Sequence, residues 1–356
     1  MMPGEKVLMK GNEALAEAAI AAGCKHFFGY PITPQTEVAA HMSKRLPKIG
    51  GVYLQAESEI AAVNMVLGAS AAGVRTMTST SSPGVSLMAE AISYMAGSDL
   101  PALIVNVQRG GPGLGGIQPS QADYFQATRS TGHGDFHVLV YAPSTVQEMV
   151  DLVEEAFDKG DEYRMPAMIL SDGMLGQMME PVVLPKESKK GPPKKEWAAN
   201  GHGRKRPRNV VNSLYIQPHD LEKLVWERCE RYERIKAKEQ KHEAYLVDDA
   251  DVIVVAYGAS SRVARSAIDT VRGEGIKAGL IRPITLWPFP EKAVSKAADG
   301  KAKAFLTVEM SAGQMVDDVR LVVNGRKPVE FYGRTGGVIP TPNEVADKIR
   351  KMAGGA

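Results

Sequence analysis

The chain has 356 residues, 44% hydrophobic and 24% charged, the composition of an ordinary globular protein long enough for two hydrophobic cores. A formal net charge of +2 is too near zero to draw in nucleic acid or an anionic membrane through the overall field, so a basic patch must act locally. Cys24 and Cys229 are far apart and belong to no Cys-x-x-Cys pair, which excludes a disulfide framework, a zinc ribbon or an iron–sulfur cluster ligated by this chain alone and fits a reducing cytoplasm.

The opening MMPGEKVLMKGNEA has charges and glycines where a signal peptide needs a continuous apolar core, and no apolar run reaches the roughly 18 residues that span a bilayer. A helix is expected from about Glu13 to Ala22, then a stop at Gly23 and a short strand Lys25–Phe28. That strand enters GYPITPQTE, residues 29–37, where prolines on both sides of Ile32 and Thr33 forbid helix and central strand alike. It is a shaped loop at a strand's carboxyl end, where open α/β sheets place ligands. GGVYLQA, RTMTSTS, LPALIVNVQ and PAMILSD then read as strands, alternating with helices in SEIAAVNMVLGASAAG, GVSLMAEAISYMAGSD and TVQEMVDLVEEAFDKG. Continuous apolar strands between amphipathic helices define a doubly wound parallel α/β domain over residues 1–185.

From Lys186 the text changes to KESKKGPPKKEWAANGHGRKRPRN, with nine Lys or Arg and almost no apolar periodicity, read as a solvated linker that lies over a neighbouring subunit. Its one aromatic, Trp197, gives no recognisable nucleic-acid module. A long connecting helix follows, with Leu221, Leu224, Val225, Cys229, Tyr232 and Ile235 on one narrow stripe. Strands and helices alternate again over residues 250–356, giving a second α/β domain; residues 186–249 are linker and connecting helix.

Gly111, Gly113 and Gly116 spell GxGxxG, but Pro112 interrupts the motif, Pro119 closes it and no helix opens behind it, so a dinucleotide fingerprint is rejected. His133 and His137 have i,i+4 spacing, yet Gly134 between them argues against a zinc-binding helix, and no metal ligand is assigned. Four loops remain at successive strand ends: YPITP, ESEIAA, TSTSSPG and NVQRGGPG. Glu59, with Ser58 as N-cap, sits at the second, where Glu57 competes for the same role and a first-turn glutamate serving the helix dipole is the plain alternative.

These motifs, with the second proline-rich match RPITLWPFP at 282–290, identify the chain as similar over nearly its whole length to the subunit of 2-oxoacid:ferredoxin oxidoreductases that carries the pyrimidine-binding domain for thiamine diphosphate. The second domain resembles the C-terminal domain of transketolase-like enzymes. The match looks nearest to the branched-chain, 2-oxoisovalerate type, with the 2-oxoglutarate type close behind. The resemblance makes Glu59 the catalytic carboxylate facing N1′ of the aminopyrimidine, nine residues before Gly68 as in the family. There it can share a proton with N1′ and so help the neighbouring amino group act as base at C2. Tyr30, Pro31, Ile32, Thr80, Ser81 and Ser82 are expected to line the cofactor pocket.

By the same resemblance Thr33 and Arg109 bind the substrate carboxylate, the proline-fixed hydroxyl on one side and a bidentate guanidinium on the other. Members acting on 2-oxoglutarate tend to carry Ser-Thr after RGGP, where this chain has Gly113 and Leu114 followed by Gly115, Gly116 and Ile117. Leu114 and Ile117 therefore predict an apolar tail, since a second carboxylate buried against them costs several kcal/mol. No GDG-plus-Asn thiamine signature occurs; SDGMLGQ around Asp172 ends in Gln. The diphosphate and its Mg²⁺ are expected on a partner subunit, the iron–sulfur clusters on another, with coenzyme A and ferredoxin as co-substrate and acceptor. Isolated, the chain should be inactive. Competing readings are a noncatalytic scaffold subunit and a single-chain transketolase or decarboxylase.

Overall fold

The computed structural model describes residues 6–129, 132–185 and 191–354. After β1 (Lys6–Lys10) and α1 (Gly11–Ala21), six strands lie parallel: β2 (His26–Gly29), β3 (Val52–Gln55), β4 (Thr76–Thr80), β5 (Leu103–Gln108), β6 (Leu139–Tyr141) and β7 (Ala167–Asp172). Every residue of β4, β5 and β7 is buried, because helices cover both faces of the sheet. α1 packs on α2 (Thr36–Arg45) and α6 (Val146–Tyr163), and α3 (Glu59–Ala71) packs on α4 (Pro83–Gly97). Local chemistry starts these helices where the sequence predicts. Ser58 Oγ accepts the Ala61 N–H at 3.3 Å, and Thr145 Oγ1 accepts the Glu148 N–H at 3.1 Å.

The spatial order β6-β7-β5-β4-β2-β3 has its switch between β2 and β4: the chain steps outward from β2 to β3, then crosses back to the other side of β2. Loops leaving β2 and β4 thus part to opposite faces and open a crevice at the carboxyl edge. α5 (Tyr124–Thr128) and α7 (Gly173–Gln177) are short, and β8 (Met179–Val183) returns to pair antiparallel with β1.

The connecting helix α8 spans Pro218–Lys238; Tyr232 and Ile235 of its expected stripe are buried, whereas Leu221 at its start is exposed. The second sheet takes β9 (His242–Tyr245), β10 (Val252–Val255), β11 (Ala278–Pro283), β13 (Ala304–Glu309) and β14 (Val329–Gly333), parallel except for β9 at one edge. α9 (Gly258–Gly273), α10 (Glu291–Asp299), α11 (Met315–Val323) and α12 (Pro342–Gly354) complete it.

Two expectations are corrected. The division at residue 250 does not hold for β12 (Thr285–Trp287), from the RPITLWPFP motif, which pairs antiparallel with β6 as the seventh strand of the first sheet. Its reason is aromatic packing: Trp287 stacks on His137 with centroids 4.5 Å apart and meets Tyr232 edge-on. Nor is the basic segment solvated throughout. Lys195 is buried with Nζ 2.7 Å from Asp161, the carboxylate that also receives Arg75 Nε at 2.8 Å, and the Ala199 N–H donates to the Ala71 carbonyl. Ala198 lies so close to Gly73 that a side-chain carbon there would stand 2.6 Å from its Cβ. This stretch covers the first domain, while Lys194 one residue earlier stays exposed. Residues 186–190, the start of the basic run, lie outside the described residues.

Candidate active site

The loops after β2, β3, β4 and β5 converge on the crevice, and hydrogen bonds join them. Glu59, the first residue of α3, is 4% exposed, whereas Glu57 is exposed, which separates the two candidates the sequence left open. Thr80 Oγ1 at the end of β4 donates to Glu59 Oε1 at 3.3 Å. Gly84 in the first turn of α4 keeps the space beside them clear: a Cβ there would stand 2.6 Å from Glu59 Oε1 and 1.9 Å from Thr80 Oγ1. Gly84 closes the TSTSSPG motif, and its necessity is purely spatial.

The proline loop is braced from behind. Gln35, fully buried, donates from Nε2 to the Tyr30 carbonyl at 3.1 Å and accepts from Ser79 Oγ at 2.6 Å, closing the hexapeptide on itself and tying it to β4. Asn12 Nδ2 donates to the Pro34 carbonyl at 2.8 Å and to Glu37 Oε2 at 3.0 Å, and Gln177 reaches the same carbonyl at 3.3 Å. Sequence reading missed Gln35 and Asn12, although Gln35 follows the motif directly. The loop's front remains open: Thr33 is exposed, Tyr30 is 36% exposed, and Pro31 and Ile32 are half-buried.

Arg109 follows β5 and is buried at 7% exposure, with Nη1 donating to the Thr33 carbonyl and Nη2 to the Leu114 carbonyl, both at 3.0 Å; its Nε–H is buried with no partner among the described residues. The glycine-rich loop beyond it is closed by an Arg109–Pro119 bridge, and Gly115, at φ +61°, lies where a Cβ would be 1.8 Å from the Gly110 carbonyl oxygen. No phosphate-cradling helix opens from it. Leu114 and Ile117 are 84% and 59% exposed, so the apolar pocket expected of them is not closed within this chain.

The serines divide their labour. Ser81 Oγ donates to the Val107 carbonyl at 2.7 Å and is fully buried, which corrects the expectation that its hydroxyl lines the pocket. Ser82 Oγ instead accepts the Arg109 N–H at 3.0 Å and donates to Asp123 Oδ2 at 2.5 Å. Burial raises the Asp123 carboxyl above the ordinary range against the pull of Ser82, Asn106 and Arg109. Asp172 caps α7, accepting the N–H groups of Met174 and Leu175 at 2.9 and 3.1 Å. A cavity of about 830 Å³ between this edge and the second domain is bordered by Ser82, Asp123, Gln126, Ser311 and Gln314. His133 and His137 do not share a helix, and no cluster of three or more His, Cys, Asp or Glu that could hold a metal occurs among the described residues. No helix among them is long and apolar enough to cross a membrane.

A doubly wound sheet with a buried glutamate at its switch-point edge, followed by a second mostly parallel α/β domain, is the architecture of a thiamine diphosphate pyrimidine-binding domain joined to a transketolase C-terminal-like domain. Residues 17–250 match the family described as pyruvate flavodoxin/ferredoxin oxidoreductase, thiamine diphosphate-binding, and residues 250–345 match pyruvate:ferredoxin oxidoreductase core domain II; the chain belongs to this family. It is 49% identical over 347 residues to the ketoisovalerate oxidoreductase subunit VorB of Methanothermobacter thermautotrophicus, covering 98% of each chain. To the 2-oxoglutarate synthase subunit KorA of Methanothermobacter marburgensis it is 39% identical, covering 98% of this chain and 99% of that one. Among solved structures it aligns with the 2-oxoglutarate:ferredoxin oxidoreductase from Magnetococcus marinus with 2-oxoglutarate, coenzyme A and succinyl-CoA bound. The TM-score is 0.87 at 29% identity, over 99% of this chain and 66% of that one, so this chain spans just under two thirds of its length. A split-gene transketolase, at TM-score 0.60 and 16% identity over 96% and 97% of the two chains, shares the fold.

The residues present fit the pyrimidine end of thiamine diphosphate. A buried carboxylate, Glu59, faces a clearing that Gly84 keeps free of side-chain atoms, with the Thr80 hydroxyl beside it.

Proposed function

We propose that this chain is the pyrimidine-binding subunit of a 2-oxoacid:ferredoxin oxidoreductase that converts 2-oxoisovalerate and similar branched-chain 2-oxoacids to their acyl-CoA thioesters. The observation that carries the reading is the joining of Arg109 to the YPITP loop at the Thr33 carbonyl, together with the buried Glu59 at the start of α3. The high identity to VorB supports the branched-chain substrate.

Thiamine diphosphate, when bound, supplies the electron sink for decarboxylation. Glu59 holds and returns a proton at the pyrimidine N1′ position. Thr33 and Arg109 bind the substrate carboxylate; the two carbonyls fix the guanidinium plane and leave one N–H on each terminal nitrogen to donate to the anion. Leu114 and Ile117 exclude water from the aliphatic tail once partner or substrate covers them. The diphosphate and its Mg²⁺ belong to a partner subunit and the iron–sulfur centres to another, because this chain offers only the unpaired Cys24 and Cys229. Coenzyme A and ferredoxin complete the reaction, in a reducing cytoplasm.

The test is reconstitution. The chain alone should be inactive, and with its partner subunits, thiamine diphosphate, coenzyme A and ferredoxin it should oxidise 2-oxoisovalerate. Glu59→Gln in that complex should lose activity by about 10²-fold or more, the scale of a lost acid–base group, with assembly intact. Near-normal turnover by this variant would remove Glu59 from the chemistry.

A further inference from the structure

Arg109 stands where β5 gives way to a glycine-rich loop, and a side chain there is aimed only as well as its own peptide is held. Beside the Arg109–Pro119 bridge, its N–H is held by one hydroxyl, donating to Ser82 Oγ at 3.0 Å. A serine hydroxyl has a single proton to give. Ser82 gives it to Asp123 Oδ2 at 2.5 Å, which leaves a lone pair for Arg109; the Arg109 carbonyl, 3.4 Å away, is the competing destination. The same carboxylate oxygen accepts Asn106 Nδ2 at 3.0 Å, while Asn106 Oδ1 accepts the Ser82 N–H at 2.9 Å. Asp123 thus decides which way the Ser82 hydroxyl points.

Asp123 precedes only the five-residue helix α5, so its place must come from elsewhere. Its N–H donates to Gln108 Oε1 at 3.2 Å, and one side chain of the second domain brackets it. Gln314 Nε2 donates to the Ala122 carbonyl and Gln314 Oε1 accepts the Phe125 N–H, both at 2.7 Å. Gln314 is itself anchored, because the buried Glu309 carboxylate accepts the N–H groups of Gln314, Met315 and Val316 at 3.1, 3.0 and 3.0 Å. A continuous chain of hydrogen bonds runs from the second domain to the arginine.

We propose that Asp123 is a positioning residue for Arg109, acting through the Ser82 hydroxyl, and that Gln314 holds Asp123 in register. The second domain of this chain thereby sets the substrate site of the first. The proposal rests on the reading of Arg109 as the carboxylate ligand.

The test uses the reconstituted complex, varying 2-oxoisovalerate and coenzyme A in turn. Ser82→Ala and Asp123→Leu should each raise the KM for the 2-oxoacid about tenfold, the scale of one lost hydrogen bond to a charged group, with the KM for coenzyme A unchanged. Asp123→Asn keeps an oxygen that accepts from both Ser82 and Asn106, so it should recover most of the loss. Gln314→Leu should shift KM in the same direction, by about threefold. Calorimetric Kd values for 2-hydroxyisovalerate, which keeps the carboxylate but has no keto group to attack, should follow the same order. In an Arg109→Lys background, Ser82→Ala should add little, because residues acting through one another are not additive. A normal KM and Kd in Ser82→Ala overturns the proposal, as does a penalty that multiplies in full on Arg109→Lys; Ser82→Ala decides alone if Asp123→Leu fails to assemble. If Arg109→Lys itself leaves kcat/KM untouched, the carboxylate-ligand reading falls instead.

Discussion

Arg109 Nη1–H donates to the backbone carbonyl of Thr33 at 3.0 Å, across 76 residues of sequence. Its Nη2 takes the Leu114 carbonyl at the same distance, so the planar fork spans two loops at once. A lysine has one compact ammonium and cannot hold both carbonyls and an anion in that plane. Arg109→Lys is expected to raise KM for the 2-oxoacid and lower kcat together, reducing kcat/KM by about tenfold or more. Steady-state kinetics of the complex provide the check, and an unchanged kcat/KM counts against the clamp.

On the proposed reading, substrate choice rests on Leu114 and Ile117, both exposed in this chain. Each methylene-sized group buried there contributes roughly 0.8 kcal/mol, whereas a distal carboxylate lacks donors. kcat/KM for 2-oxoisovalerate should exceed that for 2-oxoglutarate by about tenfold or more. Leu114→Ser should narrow the ratio. The reverse order of substrates defeats this assignment and leaves family membership intact.

The Arg75–Asp161–Lys195 cluster predicts a stability effect remote from the site. Asp161 is 5% exposed and is the carboxylate that both cations share, although Arg75 keeps Asp158 at 2.5 Å. Asp161→Ala strands the buried Lys195 and should destabilise the domain by about 3 kcal/mol. Lys194→Ala, in an 85% exposed neighbour, should cost nothing measurable in the same denaturant titration. Deleting residues 188–206 removes Lys195 too, so the fold as well as assembly should weaken. A deletion with unchanged stability contradicts the packing role.

His137 supplies a pH dependence. Burial against Trp287 and Tyr232 is the main cause, and Lys236 a further one, of a pKa pushed down to about 4 from an unfolded value near 6.5. The unfolded chain therefore binds the proton more readily between those values. The neutral ring costs nothing above pH about 6.5; stability should fall as pH drops from there towards about 4, by up to roughly 2 kcal/mol at pH 5. His137→Phe keeps the stack and should flatten that limb of a Tm-against-pH curve, whereas an equal slope in both proteins points to other groups.

What the sequence determined by itself is the part written in short range. Proline placement made residues 30–35 a loop between β2 and α2, apolar periodicity set the strands and helices of both domains, and capping residues such as Ser58 and Thr145 placed helix starts, because these depend on a few neighbouring side chains. The position of Glu59 in a helix's first turn was legible; its preference over Glu57 was not, since burial depends on what packs above it. Tertiary structure alone brought Asn12, Gln35 and Gln177 behind the proline loop, seated β12 in the first sheet, folded Lys195 onto Asp161 and placed Gln314 across Asp123. Each contact joins residues tens to hundreds apart, and their hydrogen bonds have no local period to read. They exist because a chain that buries two cores must satisfy the polar groups caught between them.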